Sequence, residues 1–299
     1  MPPRREQLAS ATPGKISSTA ASNHLVSLPG WIEGGRVAIG PVPAHLDDAT
    51  RRGVLWEAEP GRFLLSVPGV ARYLASDGRA LTIEPALGAD AREIDRFALS
   101  TPLAALSLQR GLPALHAAAV VGPAGAVVLC GDSAAGKSTL AAALTLRGWS
   151  LLADDLAPIG ISEEGACVVQ PTASHLTLWP DALNALRIAS SHRGQTGPTR
   201  WSPDHLSVGA APIVAVWILR LETAAELRAQ EVRGAEKLLA LSEAAYNSKI
   251  TTALLAPRAH LEIAGALART ARIHRVCRPL SGWHVETLAE LVLADAPGA

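Results

Sequence analysis

Apolar and polar residues alternate over short stretches between positions 25 and 85, each stretch closed by Gly, Pro or Asp, and this pattern predicts strands over 36–39, 54–57, 62–67, 71–75 and 80–84. Ser76-Asp77-Gly78 separates the last two as a tight turn between antiparallel strands. The period then lengthens. Ile94, Phe97, Ala98, Leu103, Leu106 and Leu108 recur at helical spacing over 90–110, with Pro102 placed to kink or divide the helix. Beyond 110 the apolar runs become continuous, as in strands covered on both faces: 114–121 (ALHAAAVV), 126–130 (AVVLC), 150–153 (SLLA) and 213–220 (IVAVWILR). Further strands are expected at 167–170, 175–178 and 273–277, and helices at 137–147, 181–186, 235–244, 257–269 and 281–294. The turn formers of 194–203 read as an exposed loop. The order of elements predicts an α/β fold: a flexible tail over 1–24, a small β-rich domain with its linking helix over 25–110, and a larger domain over 111–299.

Composition narrows the class. The chain has 299 residues, 48% hydrophobic and 18% charged, enough for a sizeable core. Lys plus Arg equals Asp plus Glu at 27 each, so no global charge steers it to nucleic acid or an anionic membrane. The aromatics Trp31, Trp56, Phe63 and Tyr73 are spread singly, without basic residues between them, and read as core. No run reaches the roughly 18 apolar residues of a membrane span, and the first residues lack an apolar signal core, so a cytoplasmic location is expected. Three cysteines, Cys130, Cys167 and Cys277, lie in separate apolar runs without C-x-x-C spacing, and buried thiols are expected in place of a disulfide framework or zinc site.

Candidate chemistry centres on Gly131-Asp132-Ser133-Ala134-Ala135-Gly136-Lys137-Ser138-Thr139, which fills every fixed position of G-x-x-x-x-G-K-[ST]. A predicted strand precedes it and a predicted helix follows. In that setting backbone N–H groups close around phosphate oxygens, the helix N-terminus adds a positive dipole, and the lysine reaches the outer phosphates. Phosphoryl transfer also requires a metal ligand and a group that orients or deprotonates the nucleophile. Asp154 and Asp155, at the carboxyl end of the 150–153 strand, are the candidates: one beside Ser138 for Mg²⁺, the other for the proton of an attacking hydroxyl. His116 belongs to the strand expected beside the phosphate-binding one. Its ring either points at the phosphates or is a satisfied core histidine.

These residues resemble a known family. Leu115-His116, Gly131-Asp132-Ser133-x-x-Gly136-Lys137-Ser138, Leu146-Arg147-Gly148 and Leu152-Ala153-Asp154-Asp155 look like the catalytic domain of HPr kinase/phosphorylase, the bacterial serine kinase, with matching spacings over 116–155. Residues 62–121 are similar to a divergent branch of HPr kinase-like proteins, some encoded with lasso-peptide or other modified-peptide genes. The resemblance implies a P-loop HPr kinase-like fold with ATP and Mg²⁺ as cofactors. It also implies Lys137 on the β- and γ-phosphates, Ser138 on Mg²⁺, Asp154 as the base toward a serine hydroxyl, Asp155 assisting the metal, and His116 near the transferred group. Regulatory members are hexamers, which leaves a homo-oligomer open, although no interface signal is read in this sequence.

The sequence departs from the regulatory enzymes where their E-I-R-G signature and arginine-rich loop would fall. Residues 170–180 (QPTASHLTLWP) look instead like the divergent branch. The cation for transition-state charge then falls to Arg187, Arg193 or Arg200, with Arg200 before Trp201 the first choice. The expected activity is transfer of the γ-phosphoryl group of ATP to a serine of a peptide or protein. The alternatives are a nucleotide-binding regulatory module that transfers nothing, a small-molecule kinase, and the HPr kinase of carbon regulation.

Overall fold

The computed structural model describes residues 26–189, 197–223 and 226–296. The segment read as a tail, Arg193 and residues 194–196 lie outside them. In chain order the elements are β1 (Arg36–Ile39), β2 (Arg51–Arg52), β3 (Trp56–Glu59), β4 (Arg62–Val67), β5 (Ala71–Ser76), β6 (Ala80–Pro85), α1 (Ala91–Ala98), α2 (Thr101–Gln109), β7 (Ala114–Leu115), β8 (Ala117–Gly122), β9 (Gly125–Gly131) and α3 (Lys137–Thr145). There follow β10 (Ser150–Ala153), β11 (Ala157–Ile161), β12 (Cys167–Val169), β13 (Leu176–Leu178), α4 (Pro180–Ala185), β14 (Thr199–Trp201), β15 (Ala211–Glu222), β16 (Arg228–Val232), α5 (Glu236–Glu243), α6 (Ser248–Leu254), α7 (Pro257–Thr270), β17 (Arg272–Pro279) and α8 (Val285–Asp295). The fold is mixed α/β with several sheets.

The first sheet runs β1-β6-β5-β4-β3-β2, antiparallel except for the β1–β6 edge pair. Asp77 and Gly78 both take positive φ, 51° and 67°, which turns β5 into β6. The end of α2 clamps that turn, because Gly78 N–H donates to Gln109 Oε1 at 2.8 Å and Gln109 Nε2 donates to the Ala75 carbonyl at 3.2 Å. Asp90 caps α1 by accepting from Arg92 N–H at 2.8 Å. The helix expected over 90–110 is divided: α1 stops at Ala98, and Pro102 falls in the first turn of α2, where its missing N–H leaves no intrahelical bond unmade. Seven of the nine α2 residues, Pro102 to Leu108, are buried. Five of them, Leu103 to Leu106 and Leu108, share one core cluster with Phe63, Tyr73 and Leu81 of the first sheet and with Leu156, Tyr246, Ile250 and Leu255 from the later chain.

The larger sheet has β9 between antiparallel β8 and parallel β15, and β17 lies parallel on the other side of β15. Helices α3 and α8 supply buried residues to the cluster on one face, and α5 and α7 to the cluster on the other. Covering on both faces is why β9 and β15 read as unbroken apolar runs. The run 114–121 is not one strand. It breaks at His116, whose N–H donates to the Ala244 carbonyl at 3.2 Å, so β7 pairs with β11 while β8 pairs with β9 and β10.

Two further expectations need correction. Within the loop read over 194–203, Thr199–Trp201 forms β14 and pairs antiparallel with Leu176–Leu178, because β-forming Thr and Trp find an open strand edge after the turn formers end. Cys277 is only half-buried, unlike Cys130 and Cys167, because its strand lies nearer the sheet edge and pairs with β16.

Candidate active site

The parallel strands β9, β15 and β17 end on one edge of the sheet, where open α/β sheets place ligands. At that edge β9 passes into residues 132–136 and then α3. Gly131 has φ 143°, and a Cβ built on it would stand 2.4 Å from the Leu219 carbonyl oxygen, so only glycine lets β9 turn away beside β15. Gly136, at φ 95°, is the N-cap of α3 and no side chain caps the helix. The first amide donors of α3 are therefore left to a ligand. Ala134 also takes a positive φ, 65°, a strained backbone with no side chain able to compensate. Asp132, Ser133 and Ala134 are exposed at the crest of the loop, whereas Ala135 is buried under it.

Lys137 is buried, and its Nζ donates to the carbonyls of Gly131 at 2.8 Å and Asp132 at 3.0 Å. Burial lowers its pKa, opposed by Asp155, Asp154 and Asp132. At the second residue of α3, Ser138 Oγ donates to Asp154 Oδ1 at 2.8 Å. The other Asp154 oxygen accepts from Thr177 N–H at 3.4 Å. Thr139 lines the same cavity. Asp155 points elsewhere: it has φ 67°, is exposed, and faces His116, whose Nδ1 lies 3.3 Å from Asp155 Oδ1 and 3.1 Å from the Asp155 carbonyl oxygen. Burial and then Lys137 hold the His116 pKa below its ordinary value and so favour the neutral ring, while Asp155 pulls the other way. His116 is thus at the site and not in the core. The residues 116, 131–139, 154 and 155 singled out in the sequence are brought together at one sheet edge.

Burial pushes the Asp154 carboxyl from its ordinary 3.8 up to about 6, more than its bonds to Ser138 and Thr177 can offset. The folded protein therefore holds this proton more tightly than the unfolded chain, so the carboxylate destabilises the fold above about pH 6, and that cost fades as pH falls toward 4. Asp154→Asn is expected to stabilise the ligand-free protein by on the order of 2–3 kcal/mol at pH 8, with the gain vanishing near pH 4. Urea midpoints across that range are the check, and an Asn variant no more stable than wild type at pH 8 would refute it.

A cavity of about 710 Å³ opens over the loop. Besides the residues above, it is lined by Arg200, on β14 opposite Thr177, and by His175, whose pKa burial and then Arg200 pull down. The first choice among the three candidate arginines is at the site; Arg187 is not among the residues lining the cavity. Two further contributions were missed in the sequence. Arg278, next to last in β17, lines the cavity; its place just past the carboxyl end of the strand expected over 273–277 was the available signal. Arg96, Phe97 and Ser100 line it from the end of α1, with the Arg96 guanidinium carbon 4.5 Å from the centre of the Phe97 ring. No local sequence signal announces that approach, which depends on α2 packing across to Tyr246.

No family model matches the chain, and no curated protein matches it. Among solved structures it is similar to one described as "Structure of the Hpr(Ser) kinase/phosphatase from Coxiella burnetii", at 13% identity, covering 60% of this chain and 91% of that one, with a TM-score of 0.31. A score that low fixes neither the fold nor the activity of this chain. Among the described residues no helix is long and apolar enough to cross a membrane.

Proposed function

We propose that this chain is an ATP- and Mg²⁺-dependent kinase that transfers the γ-phosphoryl group to a serine hydroxyl of a peptide or protein. The observation that carries this reading is the 2.8 Å bond from Ser138 Oγ to Asp154 Oδ1, which joins the start of α3 to the end of β10 at one point. Loop amides alone can hold phosphates; a carboxylate tied to the helix-start serine adds a place for a divalent ion between protein and phosphate.

The donor set fits Mg²⁺. Among the described residues no group of three His, Cys, Asp or Glu could hold a metal unaided, and Mg²⁺ is the ion that binds through one or two protein oxygens and completes its shell with phosphates and water. Ser138 and Asp154 would hold it, and once bound it neutralises charge developing on the β- and γ-oxygens. The desolvated Asp154 carboxylate would gain in Mg²⁺ a second counter-charge besides that of Lys137.

Lys137 can turn from the Gly131 and Asp132 carbonyls to the outer phosphates without leaving the loop. Asp155, exposed and beside a His116 ring that burial keeps toward neutral, is the carboxylate free to take the acceptor's proton. The serine oxygen then bonds to the γ-phosphorus as the bond to the β,γ-bridging oxygen breaks; Asp155 receives the proton, and ADP leaves. Side-chain partners thus favour Asp154 for the metal and Asp155 for the proton, the reverse of the division the family resemblance implies. The same resemblance favours a ribosomally made precursor peptide, of the lasso-peptide kind, as acceptor.

Incubation with γ-labelled ATP, Mg²⁺ and a panel of serine-bearing peptides tests the proposal. Label on a peptide serine, dependent on Mg²⁺, is expected. Phosphate recovered on water alone would sink the kinase reading.

A further inference from the structure

Arg278 leaves β17 on the same sheet edge as the phosphate-binding loop. Leu219 of β15 pairs with Gly131 on one side and Val276 on the other, so Arg278 stands two residues beyond the level at which β9 turns into the loop. Its guanidinium carbon lies 3.9 Å, and Nη1 4.0 Å, from the point a Cβ on Gly136 would occupy. Outside the glycine's own chain neighbours, the guanidinium is the nearest group to that point.

Among the described residues the arginine has no anion of its own. Its Nε is buried without a hydrogen-bond partner, and burial alone pulls its pKa down, with no carboxylate opposing. The other cations differ. Lys137 is held by two carbonyls, Arg220 has Glu243 and Arg275 has Glu236, while Arg200 is exposed. A half-buried guanidinium without an acceptor is costly, and a folded chain that keeps one at a ligand edge keeps it for a charge that arrives with the ligand.

We infer that Arg278 is a phosphate-binding residue, which takes nonbridging oxygens of the nucleotide's phosphate chain beside the α3 amides. The inference deepens the kinase reading and rests on it. A planar guanidinium offers two parallel N–H groups to one phosphate, whereas Lys137 offers a point charge, so the two cations are not redundant.

The test compares wild type, Arg278→Gln and Arg278→Lys by titration with ATP and adenosine and by melting of the nucleotide-free protein. For Arg278→Gln, the ATP Kd is expected to rise about 10- to 100-fold with the adenosine Kd unchanged. Its nucleotide-free melting temperature should equal or exceed that of wild type, since an uncompensated charge has been removed. Arg278→Lys should fall between the two in ATP affinity, and it carries the test alone if the Gln variant does not fold. A variant ATP Kd within threefold of wild type, or a lower nucleotide-free melting temperature, overturns the assignment and leaves the kinase reading standing. A wild-type protein that takes no ATP overturns both.

Discussion

Asp155→Asn is expected to slow phosphoryl transfer by about 10²–10⁴, the usual worth of a positioned general base, while ATP affinity and the Mg²⁺ requirement stay near wild type. Asp154→Asn should give the opposite pattern, with the Mg²⁺ needed for half-maximal rate rising steeply and the rate partly recovered at high Mg²⁺. The contrast follows from geometry: Asp154 shares its Oδ1 with Ser138, while Asp155 faces His116. Rates across a Mg²⁺ titration for the two variants decide the matter. If Asp154→Asn alone abolished transfer at saturating Mg²⁺ and Asp155→Asn kept turnover, the division of roles implied by the family resemblance would stand. If both kept turnover, neither carboxylate would be the base.

Gly131→Ala should destabilise the fold by about 4 kcal/mol, combining left-handed backbone strain with a steric collision. The added carbon would meet the Leu219 carbonyl oxygen at 2.4 Å, and that oxygen belongs to the central strand β15, which cannot retreat without disturbing its pairing with β17. Gly136→Ala is the control. It carries the positive φ but meets only the Arg278 guanidinium at 3.9 Å, so about 1–2 kcal/mol is expected. Urea unfolding with unchanged slope measures both. Equal losses at the two positions would refute the packing argument. Loss of nucleotide binding in Gly131→Ala thus would not by itself locate a phosphate, whereas in Gly136→Ala it would.

What was legible in the sequence was local. The Asp77-Gly78 reversal, the division at Pro102 and the strand, loop and helix around Gly131 are each dictated by residues within a few positions, and each is found where the pattern put it. The spacing of His116, Lys137 and Asp154-Asp155 was also readable, because all lie at ends of consecutive elements. Pairing across the chain was not. His116 interrupts a run of unbroken apolar character because β7 and β8 take different neighbours, a choice made by β11 and Ala244 far along the chain. Thr199–Trp201 looked like loop because its partner strand is only three residues long. Arg278 and Arg96 reach the cavity through the order of strands and the packing of α2, which no period along the sequence encodes.

Helix α2 has a further meaning for the protein's motions. An ordinary surface helix shows solvent one face and frays from it, but Pro102 to Leu108 are buried all round, among β4, β5 and α6. Amide protons so enclosed exchange with solvent only when the whole cluster opens. The slowest-exchanging protons should then include those of α2, and the small first sheet should lose its protection in the same event as Tyr246 and Ile250 lose theirs. Phe97 of α1 packs against that same cluster, so the footing of the cavity wall it shares with Arg96 is in that sense fixed masonry.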